Sequence, residues 1–80
     1  MRVGSLVSLV QRPGTETKML YTEPAVHRAE VSGRLSMEEL GLVLEVRPYM
    51  SNVVFYARVF GPRGSGWINT VYLTEVAEPV

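Results

Sequence analysis

The run Val53-Val54-Phe55-Tyr56-Ala57-Arg58-Val59-Phe60 constrains this chain more than any other segment. Almost every residue in it is β-branched or aromatic, types that fit the pleated surface of a strand. Alternation puts Val53, Phe55, Ala57 and Val59 on one wholly apolar face. Val54, Tyr56, Arg58 and Phe60 take a mixed face, which is the pattern of a half-buried strand. Residues 41–47, Gly-Leu-Val-Leu-Glu-Val-Arg, have the same period, with Leu42, Leu44 and Val46 set against Val43, Glu45 and Arg47. Pro48 has no N–H for a ladder and should end that strand. Tyr49 to Asn52 then turn the chain back, so that 41–47 and 53–60 pair as an antiparallel hairpin.

The flanking segments are shorter and more punctuated. Three Gly and one Pro within residues 61–66 predict a tight reversal. Trp67 to Asn69 start a further strand, residues 69–73 suit a single 3₁₀ turn, and Thr74 to Ala77 form a last short strand. At the front, Val3 to Val10 form a strand bulged at Gly4-Ser5, and Arg12-Pro13-Gly14 a turn. Residues 15–35 are mixed and polar and make a long first loop, in which Val26 to Val31 is the one candidate for an extra strand. Ser36 and Glu39 have the spacing of a capping box, and Gly41 is the stop, which predicts one short helical turn at 37–40.

Eighty residues, 46% of them hydrophobic, make one folded domain spanning 1–80 and leave room for only a thin core. Eight Lys+Arg balance eight Asp+Glu, and this zero net charge argues against a generic nucleic-acid binder. The chain has no Cys, which excludes disulfides, zinc-thiolate sites and thiol nucleophiles. No run approaches the roughly 20 apolar residues of a membrane span. The N-terminal stretch lacks the length and cleavage site of a signal peptide and is expected to be the first strand.

The order strand, long irregular loop, three strands joined by tight turns, 3₁₀ turn and final strand resembles that of a five-stranded SH3-like barrel. Three local motifs carry the resemblance. Gly41-Leu42-Val43-Leu44-Glu45-Val46 looks like the second strand of KOW-type barrels. Gly66-Trp67-Ile68-Asn69-Thr70-Val71-Tyr72-Leu73 is similar to the closing motif of SH3 and bacterial SH3 domains. Arg2-Val3-Gly4-Ser5-Leu6-Val7 resembles the barrel's Val-Gly-Asp-Leu-Val opening, with Ser5 where an acid is usual. The resemblance implies a protein-interaction, cell-wall or nucleic-acid module. Small barrels of this kind are also common among phage proteins, so a structural subunit of a virion is an implied role. The implied location is the cytoplasm, or the virion if the protein is phage-encoded. The acidic loop with which eukaryotic SH3 domains hold arginine has no counterpart in residues 12–35, and Asn69 stands where a Pro is expected, so a conventional proline-rich-peptide reader is not implied.

Catalytic chemistry finds little support. His27 stands without metal-binding or catalytic partners in its neighbourhood and suits a surface position. The chain has no Asp, so a Ser-His-Asp triad cannot be built, and Gly64-Ser65-Gly66 lies in a turn and not in a nucleophile elbow. The Gly-rich segment 61–66 leads into a strand and carries no Gly-Lys-Ser/Thr, unlike a phosphate cradle. Glu38 and Glu39 are adjacent and diverge on a helical turn. The Val-Gln-Ile-Tyr run of the plasmid-type dihydrofolate reductases is absent; the comparable place reads Trp67-Ile68-Asn69-Thr70. No enzyme activity, cofactor or metal is expected.

One feature is uneven. Between Glu45 and Glu75 there is no acid, while Arg47, Arg58 and Arg63 fall there with six of the seven aromatics. Arginine among Tyr and Trp suits a protein interface, suits base stacking with phosphate contact, and equally suits plain packing of Phe55, Phe60 and Trp67. The expectation is a non-catalytic protein–protein interaction or assembly subunit. It presents Tyr49, Tyr56, Arg58, Arg63, Trp67 and Tyr72 to another protein or to copies of itself, with loop 12–35 as a second contact arm. A KOW- or Tudor-like nucleic-acid barrel and a small inhibitor of a host enzyme are the alternatives.

Overall fold

The structure is a computed structural model that describes residues 1–24, 29–49 and 51–76, with only the backbone of Ser51 and Asn52. The chain is all-β. Its strands are β1 (Leu6–Leu9), β2 (Thr17–Tyr21), β3 (Val31–Ser36), β4 (Gly41–Tyr49), β5 (Ser51–Gly61), β6 (Gly64–Asn69) and β7 (Leu73–Glu75), with a 3₁₀ turn at Thr70–Tyr72. They form one antiparallel sheet in the order β3-β2-β6-β5-β4-β1-β7. β3 and β1 stand first and sixth in that order yet touch, so the sheet curls into a half-barrel.

Among the described residues seven strands stand in place of the five expected. The two additions, β2 and β3, lie in the segment taken for a long loop, where Thr17 pairs with Ser36, Lys18 with Leu35 and Leu20 with Gly33. Each strand of this hairpin sends a single leucine, Leu20 or Leu35, fully into the core. One buried residue per strand leaves almost no periodic signal to read. The first half of the candidate strand Val26–Val31, with His27, lies outside the described residues; residues 29 and 30 are not strand, and β3 begins only at Val31.

The helical turn at 37–40 is a plain turn. The Ser36 N–H donates to Glu39 Oε1 (2.9 Å), which is one half of the capping box, but the Glu39 N–H donates to the Ser36 carbonyl (2.9 Å) as in a β-turn and not to the Ser36 hydroxyl. No helix follows, because Gly41 already pairs with Val7 as the first residue of β4. β4 also runs through Pro48, which pairs with Phe55. β1 flanks β4 only at Gly41 and Leu42, so the far edge at Pro48 is open and a missing donor costs nothing there.

Among the described residues nine side chains form the buried core, Val7, Leu9, Leu20, Leu35, Val43, Ala57, Val59, Ile68 and Leu73, with Val46 and Tyr72 packed at its margin. Val43 points inward and Leu42 outward, the reverse of simple alternation from Leu42 to Val46. A bulge between Val43 and Glu45 resets the phase, so that Val46 faces in while Glu45 and Arg47 face out.

Close backbone crossing fixes the β2–β3 hairpin over β6. Gly64 has φ +115°, and a Cβ on it would lie 2.7 Å from the Ser32 carbonyl oxygen. A Cβ on Gly66 would lie 2.8 Å from both the backbone N and O of Tyr21. The Ser32 hydroxyl donates to the Ser65 carbonyl (2.6 Å) across the same crossing. The glycines of 61–66 therefore serve both the reversal and the contact between the two hairpins.

Candidate protein interface

The outer face of β4, β5 and β6 gathers most of the expected site residues. Glu45 pairs with Arg58 and Arg58 with Trp67, and in the next row Arg47 pairs with Tyr56 and Tyr56 with Asn69. Tyr49 meets Tyr56 edge to face, ring centroids 5.4 Å apart. The bulge in β4 makes this face possible, since without it Glu45 and Arg47 would point into the core.

Trp67 lies in this face but is not presented by it. Only 6% of the residue is accessible, and the Arg47 guanidinium sits 5.3 Å from the ring centroid. Arg63 is elsewhere, in the β5–β6 turn, where its Nε donates to Glu39 Oε2 (3.1 Å). Tyr72 belongs to the 3₁₀ turn, whose start is capped by Asn69 Oδ1 accepting from the Val71 N–H (3.0 Å). Tyr72 and Tyr56 meet across a hollow of about 260 Å³ that Lys18, Tyr21 and Asn69 also line. Tyr49, Tyr56, Arg58 and Trp67 thus stand together, Tyr72 joins through the hollow, and Arg63 stands apart.

The basic window of the sequence is partly neutralised in space, with two glutamates set against its three arginines. Glu45 bonds Arg47 and lies 3.6 Å from Arg58, and Glu39 holds Arg63. Both glutamates come from outside the acid-free window, so linear counting could not see the pairing. The Ser36 backbone N–H, with Arg63 beside it, holds the Glu39 carboxyl below its ordinary pKa. Glu75 is lowered as well, by the N-terminal ammonium and by the Ser5 hydroxyl, which donates to it at 3.1 Å.

A second outward feature was missed at the sequence level. Leu6 pairs with Leu42 and Leu42 with Phe60, which sets three apolar side chains in a row across β1, β4 and β5. They are 42%, 37% and 58% exposed. Phe60 therefore is not part of the core, and the phase of residues 41–47 concealed Leu42. Beyond this row the β4–β5 hairpin projects as a two-stranded arm, because β6 flanks β5 only from Tyr56 onward. Val53 on the arm is 85% exposed, so the apolar face expected of Val53, Phe55, Ala57 and Val59 is buried only at Ala57 and Val59.

Among the described residues no group of three or more His or Glu side chains is placed to hold a metal, and no helix is long and apolar enough to cross a membrane. No protein family, curated protein or solved structure matches the chain.

Proposed function

We propose that the protein is a non-catalytic interaction module, a small assembly or structural subunit whose outer sheet face is covered by another protein or by a second copy. The exposed Leu6–Leu42–Phe60 row carries this reading. It lies outside the buried core, and among the described residues no buried side-chain polar atom lacks a partner. Contiguous apolar side chains on three adjacent strands are the kind of patch that interfaces use. The same outer face continues from the row through Arg58 to Arg47 and the Tyr49–Tyr56 pair, residue types that anchor interfaces. The element order supports an SH3-like reading of the scaffold, with the β2–β3 hairpin in place of the long first loop. A virion subunit is one form that such an assembly role takes. The nucleic-acid alternative loses force, since Arg47 and Arg58 share Glu45 and Arg63 holds Glu39, which leaves little free positive charge in the window.

Sedimentation across a concentration series, with affinity capture from the source, tests the proposal. The wild type should self-associate or retain a protein, and a Leu42→Ser/Phe60→Ser variant should stay folded and do neither. A wild type that remains a monomer and captures no protein overturns it.

A further inference from the structure

We infer that the tyrosine-lined hollow between β2, β6 and the 3₁₀ turn receives an acidic segment of a partner protein, an apolar side chain followed by a carboxylate. The inference rests on the interaction reading above and names the chemistry one of its sites selects. At about 260 Å³ the hollow is below the size of ordinary small-molecule sites and suits one or two side chains. Ile68 and Met19 give it apolar lining, and Tyr21, Tyr56 and Tyr72 supply aromatic rings.

Its polar groups are unbalanced toward donors. Among the described residues Lys18 is the one charged residue in the lining, and no carboxylate lines it. The Lys18 ammonium rests 4.3 Å from the Tyr72 ring centroid and forms no ion pair with a described residue. Asn69 already spends its Oδ1 on the Val71 N–H, which leaves its amide nitrogen to donate. The hydroxyls of Tyr21, Tyr56 and Tyr72 bond no described residue. An ammonium, an amide nitrogen and phenol hydroxyls around an apolar floor favour an occupant that supplies acceptors and negative charge. Arg47 and Arg58 on the adjoining outer face contrast with this, because they share Glu45.

Two probes isolate the charge: N-acetyl-Leu-Glu-amide and N-acetyl-Leu-Gln-amide, titrated into the ¹⁵N-labelled protein to roughly 20 mM, several times the millimolar Kd of a weak site. The glutamyl probe should shift the amide resonances of Lys18, Tyr56, Asn69 and Tyr72, with a Kd about threefold to fivefold below that of the glutaminyl probe, the scale of a half-exposed ion pair. Lys18→Met keeps the stem and should erase the difference, while Phe60→Ser should leave it unchanged. Equal Kd values, shifts confined to the Leu6–Leu42–Phe60 row, or no shift with either probe would overturn the inference. None of these outcomes touches the association test of the outer face, so the two proposals fail separately.

Discussion

The two long hairpins of this half-barrel behave in opposite ways. β2–β3 is polar, broken by Gly33 and preceded by Pro13 and Gly14, yet it is bound tightly to the body by the Gly64 and Gly66 crossings and by Leu20 and Leu35. β4–β5 is the most hydrophobic stretch of the chain, yet its far end stands clear of the core with Val53 exposed. Burial here follows which backbone can approach which, and glycine controls that approach more than side-chain hydropathy does.

The comparison breaks most visibly at the crossing. Gly66→Val should cost about 3 kcal/mol or more, measured by urea unfolding, because the new side chain meets the β2 backbone, which cannot yield as a flexible side-chain tip could. Leu35→Ala should cost about 2–5 kcal/mol by the same measurement, although β3 is an edge strand in a segment that looks like loop. On the outer face the effects shrink. Arg47→Ala should cost about 0.5–1 kcal/mol and move the emission of Trp67, the single Trp, to longer wavelength as the ring loses its cover.

The smallest effect is pH-linked. Glu39 has its folded pKa lowered, so the stabilisation from its contacts is present above the ordinary carboxylate value and is lost as pH falls through the lowered one. Urea midpoints at pH 7 and at acid pH should therefore differ more in the wild type than in Glu39→Gln. An equal or larger acid loss in the variant would show that the Ser36–Glu39–Arg63 contacts do not contribute.

Much of the architecture was legible before the structure. The 41–47 and 53–60 hairpin, the reversal at 61–66 and the 3₁₀ turn all rest on local rules, namely alternation, punctuation and β propensity, which act within a few residues. What escaped was non-local. The bulge at Leu44 exchanges the faces of Leu42 and Val43, and nothing in the local pattern announces it. The β2–β3 hairpin depends on glycines more than thirty positions away. The grouping of the candidate site was legible in part: Tyr49, Tyr56, Arg58 and Trp67 lie on facing rows of one hairpin and its neighbour, whereas Arg63 lies apart, paired with Glu39. Lys18 and Tyr21 entered the hollow from a segment read as loop.

The central claim is that the fold is complete without the apolar residues of the arm and outer row. A Val53→Ser/Phe60→Ser variant puts it to measurement, with urea unfolding and sedimentation followed on the same sample. The account predicts a stability within about 1 kcal/mol of wild type, as for exposed positions, together with loss of whichever association the wild type shows, with itself or with its captured protein. A loss of about 3 kcal/mol or more, with association intact, would show that these side chains hold the fold and not a partner.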